Sequence, residues 1–122
     1  MNEKFVANQP IYLQIVQKLV RQIARGDLAP GDKLRSVREM AVEFGVNPNT
    51  VQRVNAELER MGIVEARRGQ GMFVTEERER LERMRIELMN GQITQFVADM
   101  REMGFGDREI VEGVKRHLGE KP

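Results

Sequence analysis

Four side chains between Asn47 and Arg53 carry hydrogen-bonding groups suited to reading the edges of nucleic-acid bases. They are Asn47, Asn49, Gln52 and Arg53. The amide of Asn or Gln can pair with adenine through two hydrogen bonds, and the guanidinium of Arg can do so with guanine, each pair giving about 1–3 kcal/mol of discrimination. These side chains can do this only if the surrounding elements present them together on an exposed surface.

Asn47 and Pro48 predict the start of a helix. An Asn side chain caps an orphan backbone amide, and proline is favoured at the first helical position because no intrahelical bond needs its missing N–H. Helical spacing then separates two faces, and Gly62 is predicted to end the helix. The apolar face holds Val51, Val54, Leu58 and Met61, and the outward face holds Asn49, Gln52, Arg53 and Ala56.

Two further helices are predicted upstream. Apolar residues recur at helical spacing from Ile11 to Arg25, and Gly26 follows where a left-handed cap is expected. Pro30 and Gly31 then suit a type II turn. Ser36 with Glu39 three residues later predicts a capping box for a short helix that ends at Gly45. The sequence therefore predicts two helices before the helix that begins at Asn47.

Downstream of Gly62 the pattern changes to short extended segments. The segments "IVEA" and "MFV" flank "RRGQG", in which Gly69 and Gly71 supply the positive φ of a tight turn. The tip of this β-hairpin is predicted to carry Arg67, Arg68 and Gln70. Three helices followed by a hairpin predict a winged helix-turn-helix domain over residues 1–75, in a mainly α protein with a small β-hairpin.

Residues 76–122 are predicted to form a two-helix tail. The first helix runs from Glu76 to about Met103, with a change in its apolar stripe at Gly91 that predicts a kink or a new packing partner, and "GFGD" separates it from the last helix. Two short helices cannot bury such stripes alone, so we expect the tail to mediate dimerisation. The predicted dimerisation residues are Leu81, Met84, Leu88, Ile93, Phe96, Val97, Met100, Ile110 and Val114.

Composition excludes several classes of function. The chain has no cysteine, so thiolate metal sites and cysteine nucleophiles are ruled out. We expect the protein to be located in a reducing cytoplasm. No apolar run is long enough for a signal peptide or a membrane span. His117 is the only histidine, and no cysteine or pair of carboxylates lies near it in the sequence at the spacing of metal ligands, which argues against a metal site. We expect no enzymatic activity, no cofactor and no membrane partner.

The charge distribution weakly favours an anionic partner for the first part of the chain. Residues 1–75 hold 11 Lys and Arg against 8 Asp and Glu, a charge of +3, whereas the remainder holds 9 against 11. Solvated charged faces are an alternative explanation of such a small difference.

The segment from Pro10 to Val74 resembles the DNA-binding domain of the GntR family of bacterial transcription regulators. The matching signatures are Pro10–Tyr12, Gly26 with Leu28 and Pro30–Leu34, Ser36–Glu39, Asn47–Val51 and Gly69–Val74. By this resemblance, Arg38 lies at a position used on DNA, Asn47 to Arg53 form the reading edge, and Arg68 to Gln70 form the tip of the wing. The 47-residue tail resembles that of the YtrA branch, in which two short helices make the dimer.

The sequence departs from the family pattern at several positions. Relatives usually have proline where this chain has Arg35, and often Ala followed by Tyr where it has Val54 and Asn55. In other branches arginine often replaces Pro48 and Gln52. Because proline cannot read a base, reading must shift to Asn47, Asn49, Gln52 and Arg53.

The hypothesis is a homodimeric, sequence-specific transcription regulator, more specifically a repressor, that binds a two-fold symmetric double-stranded operator. The predicted DNA-binding residues are Arg35, Ser36, Arg38, Asn47, Asn49, Thr50, Gln52, Arg53, Arg68, Gly69 and Gln70. The alternative is a protein-interaction module that binds DNA only weakly and nonspecifically. The methionines of the tail can pack in a core or an interface, or they can line an adaptable pocket for a small-molecule effector. Family resemblance suggests ABC transporter genes as targets.

Overall fold

The computed structural model describes residue 5 and residues 7–120, which form five α-helices and one antiparallel two-stranded hairpin. The elements in chain order are α1 (Ile11–Arg25), α2 (Val37–Phe44), α3 (Pro48–Arg60), β1 (Val64–Arg67), β2 (Gly71–Val74), α4 (Arg78–Glu102) and α5 (Asp107–His117). The predicted fold class, a mainly helical winged helix-turn-helix with a two-helix tail, is confirmed.

The chain divides into two compact units, Met1–Met84 and Arg85–Pro122. The division falls within α4. Residues 76–84 therefore group with the helices and hairpin that precede them, and Arg80 donates from Nη1 to the carbonyl oxygen of Gly62 at 3.4 Å. The functional boundary after Thr75 stays a prediction.

Helix α1 supplies much of the core of the first unit. Its buried residues follow one stripe: Ile15, Val16, Leu19, Val20 and Ile23. This face packs on α3. The helix ends at Gly26, which takes the left-handed conformation (φ 89°) that an L side chain adopts only at a cost.

Helix α2 begins with the predicted capping box. The backbone amide of Glu39 donates to Oγ of Ser36 at 3.1 Å, and that of Ser36 donates to Oε1 of Glu39 at 2.9 Å. The hydrogen bond from the Ser36 amide, followed by that with its side chain, lowers the pKa of Glu39 below its ordinary value of 4.5. The cap thus favours the ionised carboxylate at a helix N-terminus, where the dipole also favours negative charge.

Helix α3 begins as the sequence predicts. Oδ1 of Asn47 accepts from the backbone amide of Asn49 at 2.8 Å, and Pro48 takes the first helical position. The buried face comprises Val51, Val54, Asn55 and Leu58. The regular helix ends at Arg60, two residues before Gly62, which then turns the chain into β1.

The hairpin pairs Val64 with Val74 and Arg67 with Gly71. A segment that sequence reasoning missed extends it, because Lys33 forms an antiparallel bridge with Phe73. The amide of Leu34 donates to the carbonyl of Met72 at 2.8 Å. The loop between α1 and α2 therefore fixes β2 on its second edge.

A tight turn brings this segment to β2. The amide of Asp32 donates to the carbonyl of Ala29 at 3.0 Å, and Gly31, the third of the four turn residues, has φ 84°. Both features fit the predicted type II turn, in which this position requires a positive φ.

The tail consists of the rest of α4 and helix α5. Helix α4 continues through Gly91 without interruption, and Arg101 near its end pairs with Asp107 at 3.0 Å. At the start of α5, Oε1 of Glu109 accepts from the amide of Gly106 at 3.1 Å. Within the described ranges, no helix combines the length and apolar character that crossing a lipid bilayer requires.

Candidate nucleic-acid interface

The N-terminal part of α3 exposes most of the reading edge, Asn47 to Arg53. The side chains of Asn49, Gln52 and Arg53 are exposed, whereas Thr50 is half-buried. Asn47 is exposed but its Oδ1 already caps the helix, which leaves its Nδ2 donors for a ligand. Structural capping and base contact therefore draw on different atoms of the same amide.

Arg53 at the end of this edge is held by a residue of α1. Its Cζ lies 3.8 Å from the ring centroid of Tyr12, a cation–π contact. The sequence analysis places Tyr12 in a family signature but does not predict its contact with Arg53, because the two positions are 41 residues apart and no local pattern connects them.

Three predicted contact residues lie at the start of α2, and two of them already have partners within the chain. Arg38 is exposed and forms no ion pair with any residue that the structure describes. Arg35 pairs with Glu43 at 2.9 Å. The hydroxyl of Ser36 accepts the capping bond. Of the three predicted contacts here, Arg38 is the one whose charge is fully available to a phosphate.

The hairpin tip, Arg68 to Gln70, projects three exposed residues. The amide of Gln70 donates to the carbonyl of Arg67 at 2.8 Å, and Gly69 has φ 74°. No carboxylate in the described part of the chain pairs with Arg68. Arg68 can therefore meet a phosphate or a narrow minor groove without first breaking an ion pair.

Arg67 does not belong to this tip, contrary to the sequence prediction. It ends β1 and is half-buried, with Cζ 4.1 Å from the ring centroid of Phe73. Its guanidinium also lies 3.5 Å from Glu65 and 3.7 Å from Glu76. Strand alternation and these partners hold Arg67 against the hairpin.

The three elements can contact DNA in two ways. Exposed amides and a guanidinium at the N-terminus of a helix suit base edges in the major groove, while separate cations on α2 and the hairpin suit the backbone. No cluster of metal-ligating side chains occurs among the residues the structure describes. The DNA-contacting roles of individual residues stay predictions.

A family model described as bacterial regulatory proteins, gntR family, matches residues 11–74, from the first residue of α1 to the last of β2. The chain belongs to the GntR family. The match contains all the elements described above as the candidate interface. Members of this family regulate transcription, and the relatives described next are named as regulators, not as enzymes.

Two curated relatives extend the similarity over nearly the whole chain. The chain is 46% identical over 115 residues to the uncharacterised HTH-type transcriptional regulator YhcF of Bacillus subtilis, covering 94% of this chain and 95% of YhcF. It is 36% identical over 110 residues to the HTH-type transcriptional repressor YtrA of the same organism, covering 89% of this chain and 85% of YtrA. The predicted YtrA-like branch is therefore confirmed.

A solved structure supports the same fold. A GntR family transcriptional regulator from Listeria monocytogenes superimposes with a TM-score of 0.87 at 38% identity, covering 92% of this chain and 98% of that one. The family model ends at residue 74, whereas this superposition covers 92% of the chain, so the structural similarity extends into the tail.

The predicted dimerisation residues differ in exposure. Met84 and Ile110 are buried within the chain, whereas Ile93, Phe96 and Val114 are exposed, and the other four are half-buried. Within the second unit, α4 and α5 line an apolar groove of about 320 Å³. Its lining residues are Phe96, Met100, Ile110, Gly113, Val114, His117 and Leu118. Nδ1 of His117 donates to the carbonyl of Gly113 at 2.9 Å.

Proposed function

We propose that this GntR-family regulator is a transcription repressor that binds a two-fold symmetric operator as a homodimer in the bacterial cytoplasm. The observation that carries the proposal is the exposed interface of α2, α3 and the hairpin tip. Arg38 and Arg68 remain unpaired there among the described residues, and Asn49 and Gln52 are exposed between them in the sequence. The name of YtrA, a repressor, supports the sign of regulation.

The homodimer is supported by the apolar tail. Phe96 and Val114 are large apolar side chains that remain 40% and 39% exposed in the single chain. Water contact at such a patch is unfavourable, and a two-fold interface covers the same patch on both protomers. Two reading edges related by such an axis would meet half-sites about one helical turn apart, roughly 34 Å.

An effector, if the regulator uses one, would act through the second unit. The groove lined by Phe96, Ile110 and Val114 is apolar and of a size that suits a small organic molecule. A ligand that changed the dimer geometry would change the distance between the two reading edges.

The test uses the full chain and a duplex selected by the wild-type protein from a random-sequence pool, with a scrambled duplex as reference. We expect the selected duplex to bind roughly a thousandfold more tightly than the scrambled one. Arg38→Ala should weaken binding to both duplexes and reduce the magnitude of the slope of log affinity against log salt by about 1. Asn49→Ala and Gln52→Ala should chiefly reduce the ratio between the two duplexes.

Arg108→Ala is the matched control for Arg38→Ala. Arg108 is an exposed arginine of α5, so its replacement removes the same charge from the other unit. Affinity and salt slope should stay at the wild-type values. Equal affinities of the wild type for both duplexes would refute sequence-specific regulation and favour the protein-interaction module instead.

A further inference from the structure

Arg53 is the only arginine of the reading edge, and its guanidinium rests on an aromatic ring from another helix. The Cζ atom lies 3.8 Å from the ring centroid of Tyr12, in the first turn of α1. Arg53 is exposed and Tyr12 is half-buried. The ring therefore provides a fixed surface for a side chain that would otherwise sample many rotamers.

The nearest carboxylate along α3 is already occupied. Glu57, four residues after Arg53, accepts from Nε of Arg60 at 2.9 Å and from Nη2 of the same guanidinium. This bidentate pair lowers the pKa of Glu57 and raises that of Arg60. Because Glu57 is engaged by Arg60, it does not neutralise Arg53 at the i,i+4 spacing that commonly forms an ion pair.

A contact with the face of an aromatic ring uses no N–H donor of the guanidinium. The five donors of arginine lie in its plane, in a fork that matches the two acceptors on the major-groove edge of guanine. Stacking on Tyr12 thus restricts the side chain while its hydrogen-bonding edge stays available. An ion pair with Glu57 would have consumed that edge.

We propose that Tyr12 is a positioning residue that holds Arg53 for base recognition and thereby sets the specificity of the reading edge at one base position. This inference rests on the proposed DNA-binding function. It assigns to α1 a part in sequence recognition, in addition to its packing on α3. The expected partner of Arg53 is a guanine, whose acceptors match the guanidinium fork.

The test compares Tyr12→Leu, Tyr12→Phe and Arg53→Ala in the full chain, each selected against the same random-sequence duplex pool as the wild type. Tyr12→Leu should lose about two- to fivefold in affinity per half-site, the value of an exposed cation–π contact. It should also relax the same base position that Arg53→Ala relaxes. Tyr12→Phe keeps the ring and should stay within about twofold of the wild type.

A double-mutant cycle separates positioning from general packing. In the Arg53→Ala background, Tyr12→Leu should have no further effect on affinity for the selected duplex. Arg53→Lys, which leaves Tyr12 and the α1 packing intact, should relax the same base position because an ammonium lacks the planar fork. Thermal unfolding of every variant verifies that the fold persists, and Arg53→Lys supplies the test if Tyr12→Leu does not fold.

Three results would overturn the inference while leaving the proposed function intact. They are relaxation of different base positions by Tyr12→Leu and Arg53→Ala, an equal loss from Tyr12→Leu with and without Arg53, and tighter binding by Tyr12→Leu. An Arg53→Lys profile identical to that of the wild type would also overturn it. If the wild type selects no consensus sequence, the proposed function fails and the inference fails with it.

Discussion

The two compact units of this chain bury their apolar residues to very different extents. Every buried hydrophobic side chain of the described residues except Ile110 lies in the first unit, residues 1–84. Conversely, among the described residues, all the exposed large hydrophobic side chains except Ile11 and Val42 lie in the second unit, residues 85–122. The sequence patterns of both units are amphipathic, so the difference arises from what each helix packs against.

This difference indicates where each unit obtains its stability. In the first unit, α1 and α3 bury their stripes against each other within one chain. In the second unit, α4 and α5 leave an apolar groove open to solvent. Exposed patches of this kind in regulators commonly mark an interface, which is why the tail supports the proposed dimer.

The largest expected effect comes from the core of the first unit. Leu58→Ala should lower the free energy of unfolding by about 2–5 kcal/mol, because Leu58 is fully buried and its truncation leaves a cavity. Chemical denaturation measures the change. Val42→Ala is the matched control, since Val42 is 75% exposed and should change stability by less than about 0.5 kcal/mol. Similar losses for both variants would contradict the assigned core.

In the tail, replacing exposed apolar side chains should affect assembly instead of folding. Phe96→Glu combined with Val114→Glu should weaken dimerisation by about a hundredfold or more, close to 2.7 kcal/mol, because charges would enter an apolar interface. Sedimentation equilibrium over a concentration series measures it. The wild type should remain dimeric at micromolar concentration.

Val42→Glu is the control for assembly, since it adds the same charge to an exposed apolar residue of the first unit. Its dimerisation should equal that of the wild type. A double variant of the tail that remains as dimeric as the wild type would refute the assignment of this face to the dimer. A monomeric wild type would do so as well.

The local signals of the sequence predicted most of the first unit. Ser36 and Asn47 identify helix starts through side chains that accept hydrogen bonds from nearby backbone amides, and Pro48 does so because the first helical position needs no N–H. The relevant physics therefore lies within four residues. Gly69 and Gly71 identify the hairpin turn for the same reason. The exposed positions of Asn49 and Gln52 follow from helical spacing alone.

Contacts between distant segments could not be predicted in this way. The bridge of Lys33 to Phe73 and the stacking of Arg53 on Tyr12 join residues about 40 positions apart. Arg67 looked like a tip residue, but its stacking on Phe73 and its two carboxylate partners hold it on β1. Such contacts depend on tertiary packing, which no local sequence pattern encodes.

Asn55 is, with Thr75, one of two buried polar residues among the described residues of the first unit, and its replacement should have a smaller effect of opposite sign. The residue is 8% exposed, and its Oδ1 has no hydrogen-bond partner among the described residues. Asn55→Leu has nearly the same shape and removes the unsatisfied acceptor, so the free energy of unfolding should rise by about 1 kcal/mol. Denaturant titration beside Leu58→Ala tests this. A loss of stability would contradict the assignment of Oδ1 as a destabilising buried acceptor.

The smallest effect concerns the capping box of α2 and its dependence on pH. Because the pKa of Glu39 is lowered in the folded chain, its ionised form adds stability at pH values above 4.5, and this contribution is lost as the pH falls through the folded pKa. Glu39→Gln keeps an acceptor for the Ser36 amide but cannot ionise. The variant should therefore be less stable than the wild type at pH 7, and the difference should shrink between pH 5 and pH 3. Glu87→Gln, which removes an exposed carboxylate within α4 that caps no helix, is the control for the loss of one negative charge. A difference for Glu39→Gln that stayed constant down to pH 3 would mean that the cap depends on geometry and not on charge.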